Sequence, residues 1–234
     1  MNRRLLITGA GGFLGSRICE YFSARDGYEA VGVTHRELDI EDFVAVSAFV
    51  KAIRPDYVLH CAAISDTGAC ERNPVLSEKV NVGGTVNLAK ACRNAGSRMI
   101  FTSSDQIYNT SHSLEPNREG SEGKPGNVYG RDKKRAEEAM LTYLPDAVAL
   151  RLSWMYDAPS RGRVGSQGLL QKLMDALKER REVEFPVHDY RGITYVWEVV
   201  RHLEEAMGLP GGVYNFGSEN RNNTFDTARL FLRE

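Results

Sequence analysis

Apolar residues along this chain follow two alternating rhythms: short continuous runs, and longer stretches in which they recur three and four residues apart. The first run, Leu5-Leu6-Ile7, passes through Thr8-Gly9-Ala10-Gly11-Gly12 into Phe13, Leu14, Ile18, Tyr21 and Phe22 at helical spacing. A continuous run predicts a strand covered on both faces, and the second spacing predicts a helix with one buried stripe. This segment therefore reads as strand, tight turn and helix, the helix beginning at about Gly12. Residues 29–33 read as a second strand and Asp39-Ile40 as a further short strand end. Residues 41–53 carry Phe43, Val46, Phe49, Val50 and Ile53 on one helical face, with Pro55 after the helix end.

Residues 57–63 form the next buried run and finish on small side chains. A long helix is predicted over 73–95, with Asn81 in its middle and Gly96 as its stop. Residues 99–102 are a strand opening into Ser103-Ser104-Asp105-Gln106-Ile107-Tyr108. Residues 109–127 are polar and punctuated by Pro116, Gly120, Gly123 and Pro125, which predicts a mobile loop able to cover a substrate. A helix follows from Val128 through Tyr143, then a strand over 147–152 running into Ser153-Trp154-Met155-Tyr156. Residues 162–168 read as a loop, 169–180 as an amphipathic helix, 182–185 as a short strand, 196–207 as a helix and 213–216 as a strand. A last helix runs from Thr224, capped by Asn223 or Thr224.

Alternation of buried strands with helices predicts an α/β fold, a doubly wound parallel sheet of the Rossmann-like kind. Residues 1–152 would form the dinucleotide-binding domain. Residues 153–234 would form a small C-terminal substrate lobe, interleaved with the last sheet strand.

Composition narrows the function classes. The chain has 234 residues and a net charge of −1, enough length for a sizeable core, and its mixed charges give no support to a nucleic-acid or membrane-surface partner. No apolar run approaches the roughly 20 residues that span a bilayer, and the N-terminus lacks the apolar core of a signal peptide. A cytoplasmic location is the expectation. Cys19, Cys61, Cys70 and Cys92 fall at no metal-ligand spacing, so they are expected to be reduced, structural thiols, with no metal site.

The first turn of the first helix carries the clearest candidate chemistry. Its N–H groups have no intrahelical partner and the helix dipole is positive there, so a diphosphate can sit on it where glycine leaves clearance. The spacing Gly9-x-x-Gly12-x-x-Gly15 supplies that clearance, although glycines also serve bare turns. No carboxylate ends the second strand. Arg36 stands just beyond it, either as an ordinary solvated side chain or as a partner for the 2′-phosphate of NADP. His60 lies inside an apolar strand and reads as a core histidine. Polar groups at the carboxyl end of a parallel strand mark Ser103 to Tyr108 as a chemical edge. Tyr129 and Lys133, four apart, share one helical face.

The glycine spacing, the Ser-Ser after a mid-chain strand and Tyr129-x-x-x-Lys133, in that order, resemble the extended short-chain dehydrogenase/reductase family. Within it the similarity is to the dTDP-4-dehydrorhamnose reductases, carried by Glu37-Leu38-Asp39-Ile40, Arg54-Pro55-Asp56, Cys61-Ala62-Ala63, Ser103-Ser104-Asp105, Pro125 to Lys133 with Glu137, and Arg151-Leu152-Ser153-Trp154. The resemblance implies NADPH-dependent reduction of a 4-keto-sugar nucleotide, with Ser104, Tyr129 and Lys133 as the catalytic set. NADP(H) would be preferred, with NAD(H) also admitted. It implies cofactor contacts at Gly9, Gly12, Phe13, Leu14, Gly15, Arg36, Asp39, Ile40, Cys61, Ala62, Ala63, Asn81, Tyr129 and Lys133. Substrate contacts would come from Ser65, Asp105, Trp154 and Arg191, the partner being a small-molecule sugar nucleotide, with a homodimer compatible. Members of the family commonly continue beyond the position of Glu234, so the lobe is read as shortened.

Two positions depart from the pattern. Gln106 replaces the tyrosine of these reductases and cannot be the acid that dehydratases place there. Arg191-Gly192-Ile193-Thr194-Tyr195-Val196 is closer to sugar-nucleotide epimerases, in which the arginine meets a nucleotide phosphate. An epimerase is therefore one alternative, and the shortened lobe keeps open a second, a non-catalytic nucleotide-binding regulatory subunit similar to the methionine adenosyltransferase beta subunit. For a reductase Tyr129 would be the acid. An ammonium about 4 Å away at an effective dielectric of about 20 offers roughly 4 kcal/mol, which predicts that Lys133 lowers the phenol's pKa.

Overall fold

The computed structural model describes residues 2–111, 115–158, 165 and 168–233. Six parallel strands form the central sheet: β1 (Arg3–Thr8), β2 (Tyr28–Val33), β3 (Tyr57–His60), β4 (Arg98–Ser104), β5 (Val148–Leu152) and β8 (Gly212–Phe216), in the order β2-β1-β3-β4-β5-β8. The order reverses between β1 and β3, the place where open parallel sheets leave a crevice at their carboxyl ends.

Strand alternation explains the two cores. Leu6, Val58, Met99, Phe101 and Ala149 point to one face and pack with α2 (Phe43–Ile53), α5 (Thr85–Ala95) and α6 (Val128–Tyr143). Leu5, Ile7, Leu59, Ile100, Val148 and Leu150 point to the other and pack with α1 (Phe13–Ser23) and α8 (Val196–Ala206). Every strand at the centre thus buries both faces, which is why its sequence is a continuous apolar run.

A smaller lobe stands on the carboxyl side. β6 (Trp154–Tyr156) and β7 (Ile193–Tyr195) pair in parallel, and α7 (Leu169–Glu179) packs on α9 (Thr224–Phe231) through Leu169, Leu173 and Ala228. The stretch 153–234 also returns β8 and α8 to the main sheet, so the lobe and the sheet are interleaved.

Local structure departs from the sequence expectation at several places, and a short helix that the sequence reading did not foresee, α3 (Thr67–Arg72), follows β3. Asp39-Ile40 is a turn without strand pairing, and Asp42, not the chain before it, starts α2 by accepting hydrogen bonds from the amides of Val44 and Ala45. The helix expected over 73–95 is α4 (Pro74–Glu78), a wider π-helical turn (Lys79–Gly84) and α5. The wide turn lets the buried Ile40 side chain reach Gly84, where an added Cβ would lie 2.5 Å from Ile40 Cδ1. Residues 182–185 have no strand partner, and Phe185 is instead packed against the lobe core. β7 was not foreseen as a strand. Most of the loop expected over 162–168, and residues 112–114 of the loop expected over 109–127, lie outside the described residues.

Candidate active site

The carboxyl ends of β1, β3, β4 and β5 and the near side of the lobe enclose one cleft of about 1370 Å³. Pockets for a single small molecule run about 300–1,000 Å³, so this one has room for two ligands side by side.

Its floor is the glycine turn. Gly9 has φ +70°, and a Cβ there would stand 2.7 Å from the Ala62 amide nitrogen; one on Gly15 would stand 2.2 Å from the Gly9 carbonyl oxygen. Those two glycines let α1 start directly against β1 and the Cys61-Ala62-Ala63 stretch. Gly12 is the α1 N-cap, with no side-chain cap and no acidic residue in the first turn. The end of the helix dipole is left to a ligand, so a diphosphate fits this seat. Phe13, Leu14, Asp39, Ile40, Cys61, Ala62 and Ala63 line the cleft with the three glycines. Burial pushes the Cys61 thiol up to about 12, which makes it a wall and not a nucleophile.

Two expected cofactor contacts do not line the cleft. Arg36 is exposed beyond β2, where Thr34 and His35 form the lining and Glu37 folds back to bond the Thr34 amide at 2.6 Å. Asn81 is buried behind the wall, and its side chain exchanges hydrogen bonds with the Ile64 main chain at 2.8 and 3.1 Å. It therefore shapes the loop after β3, which carries Ser65 into the cleft, from behind.

Ser104, Asp105, Tyr129 and Lys133 meet at the far end. Asn127 caps α6 by accepting from the Gly130 amide at 2.7 Å, and Glu71 accepts from the Val128 amide at 2.6 Å, which fixes Tyr129 in the first turn. Gln106 accounts for its own departure from the family pattern: its side-chain oxygen accepts from the Asn127 amide group at 2.8 Å, tying the turn after β4 to the α6 cap. A Cβ at Gly130 would stand 2.5 Å from the Gln106 carbonyl oxygen, so the helix begins as close to that turn as backbone allows.

The electrostatics correct one expectation. Burial raises the Tyr129 phenol well above its ordinary value, with the neighbouring Ser104 hydroxyl opposing it. Lys133 does not lower it: the Lys133 ammonium donates to the Thr102 carbonyl at 2.8 Å and lies 5.7 Å from the centroid of the Tyr129 ring. Burial takes Lys133 itself down to about 8. Asp105 is pushed up to about 6, mainly by burial, with Arg191 and Ser104 pulling it down. His60 is a core residue, bonded at both ring nitrogens to Thr8 (2.8 Å) and Thr85 (3.1 Å), and burial holds it near 3.

On the lobe side Trp154 lines the cleft, with the Arg191 guanidinium 5.5 Å from its ring centroid. Arg191 also donates from Nε to both carboxylate oxygens of Asp189, at 3.1 and 3.0 Å. Asp189, Phe185 and Thr224 belong to the same wall and were missed, because Phe185 reads as a strand residue, Thr224 as a helix start and Asp189 as a solvated loop carboxylate.

The family model described as the RmlD substrate binding domain matches residues 3–234. The chain belongs to the RmlD family. It is 34% identical over 240 residues to a dTDP-4-dehydrorhamnose reductase of Mycobacterium tuberculosis, covering 100% of this chain and 76% of that one. With the reductase of the same name from Mycolicibacterium smegmatis it shares 36% identity over 231 residues, 98% of this chain and 68% of the relative. The crystal structure of dTDP-4-dehydrorhamnose reductase from Bacillus anthracis in complex with NADP superposes with a TM-score of 0.89 at 24% identity, over 100% of this chain and 81% of that one. That likeness is one of fold. Among the described residues of this RmlD-family chain no helix is long and apolar enough to cross a membrane, and no cluster of acidic, histidine or cysteine side chains could hold a metal.

Proposed function

We propose that this chain is an NADPH-dependent reductase of a 4-keto-sugar nucleotide, with Ser104, Tyr129 and Lys133 as its catalytic residues. The observation that carries the reading is the convergence of these three on the same cleft as an uncapped, glycine-cleared helix N-terminus. A reduced dinucleotide on that seat would supply the hydride. Ser104, at the end of β4, would donate a hydrogen bond to the ketone oxygen, a stabilising interaction that strengthens as charge grows there. Tyr129 would give its phenolic proton to that oxygen. Its raised pKa keeps the proton on Tyr129 until the oxygen becomes basic enough to take it. Lys133, still protonated at neutral pH with its pKa near 8, would hold the cofactor's ribose while Thr102 orients it.

Residues 1–152 would supply the cofactor side and one wall of the substrate site, and residues 153–234 the facing substrate lobe. Trp154 would pack on the sugar, a use suited to an indole with one apolar face. Arg191 would pair with a nucleotide phosphate through its terminal nitrogens, since Asp189 engages Nε. Ser65 and Asp105 would meet the sugar from the opposite wall. Arg36, exposed at the end of β2, would reach the 2′-phosphate of NADPH.

A panel of nucleotide 4-keto-sugars assayed with NADPH and with NADH tests the reading. Turnover with NADPH faster than with NADH, and an Arg36→Ala variant whose NADPH dissociation constant rises while that for NADH holds, are the expected results. Equal dissociation constants for the two cofactors in the unmodified protein would remove the role of Arg36. No turnover of any keto-sugar would remove the reductase.

A further inference from the structure

Arg17, in the second turn of α1, makes an ion pair with Asp157, 140 positions away and immediately after β6. The Nε and Nη2 groups donate to Asp157 Oδ2 at 2.9 and 2.8 Å, and the two side chains are only 3% and 5% exposed. Nη1 donates back to the Phe13 carbonyl at 2.8 Å, and the guanidinium lies 4.2 Å from the Phe13 ring centroid. Phe13 is itself in the cleft wall, beside the seat of the helix N-terminus. The chain thus brings a buried carboxylate from the lobe to the first turns of the helix on which, in the reading above, an anionic diphosphate sits.

We infer that Arg17 is a charge-neutralising residue for the dinucleotide site: it cancels Asp157, so that the lobe can close against α1 without placing net negative charge beside the diphosphate. This rests on the cofactor reading of the cleft. The physical cost of losing Arg17 is then specific in sign. Arg17 lies five residues past the Gly12 N-cap, about 8 Å of helix rise, and a bare carboxylate at that remove from an anion seated on the N-terminus, at an effective dielectric of about 20, weakens binding by about tenfold or more. Loss of Asp157 leaves a cation there instead, which a diphosphate tolerates. A pair serving only the fold has no such asymmetry, because removal of either partner strands the other charge in the interior.

The test measures NADPH dissociation constants by calorimetry, and melting temperatures without ligand, for wild type, Arg17→Met, Asp157→Asn and the double variant. Arg17→Met should raise the dissociation constant at least about tenfold, Asp157→Asn should leave it unchanged or lower it, and the double variant should return to within about threefold of wild type. Arg17→Lys, which keeps the charge, should stay close to wild type, and it carries the comparison if Arg17→Met does not fold. Equal loss of affinity in both single variants, or affinities that simply follow the melting temperatures, would overturn the inference. A wild-type protein with no affinity for NADPH would instead overturn the cofactor reading, and the inference with it.

Discussion

Tyr129 and Asp105 are both pushed by burial toward their protonated forms, and for Asp105 the consequence is measurable without any substrate. Its pKa is raised from 3.8 to about 6 in the folded chain. Between those values the native state holds a proton that the unfolded chain has given up. The contribution of Asp105 to stability is therefore present below about pH 4 and is lost as pH rises through about 6. Asp105→Asn has no proton to lose. Its melting temperature relative to wild type should rise from about pH 4 to about pH 7; parallel curves would mean that Asp105 is not buried as described. The carboxyl beside Ser104 was legible in the sequence as a chemical edge, but its raised pKa was not. That comes from burial in the folded cleft, and Arg191, brought there from far along the chain, only partly offsets it.

At the scale of elements, α6 is fixed to the sheet by charge as well as by packing. Glu137, one turn beyond Lys133, receives Arg151 from β5 at 2.7 Å through Nη2, and the Ser103 hydroxyl of β4 also donates to it. Arg151 goes on to the Tyr108 hydroxyl and the Glu119 carbonyl, which ties part of the polar 109–127 stretch to the same network. Glu137 and Arg151 are 2% and 9% exposed, so removing one partner strands a buried charge. Glu137→Gln should cost about 3–5 kcal/mol in urea unfolding. A loss under about 1 kcal/mol, the scale of a solvated surface pair, would contradict that. The strands and helices around this network were readable because two periodicities alternate along the chain. The failures were short or unpartnered pieces. Glu182-Val183-Glu184-Phe185 alternates like a strand but has nothing to pair with, and β7 is only three residues long before α8 begins. Asn81 sits in a helical pattern whose widening into a π turn shows only when Ile40 is seen against Gly84.

For the whole molecule the question is whether the lobe completes a site for a nucleotide. The glycine turn and the Tyr129 to Lys133 spacing were legible because each is a local pattern with its own physical cause. The lobe wall was not: Asp189 pairs locally with Arg191, but Phe185 and Thr224 join them and Trp154 on one wall only through tertiary packing. With NADPH bound, a nucleoside diphosphate should bind by calorimetry, and Arg191→Ala should weaken it by about 1.5–3 kcal/mol, the scale of a charged hydrogen bond. An unchanged affinity would place the phosphate elsewhere. The chemistry itself is tested most directly by single-turnover oxidation of NADPH on adding a nucleotide 4-keto-sugar, with wild type and Tyr129→Phe compared after each is shown to bind NADPH. Wild type should consume one NADPH for each alcohol formed, and Tyr129→Phe should be slower by at least about 10²–10⁴-fold at similar NADPH affinity. A Tyr129→Phe protein that keeps most of the wild-type rate, or a wild type that converts the sugar without consuming NADPH, would contradict the account.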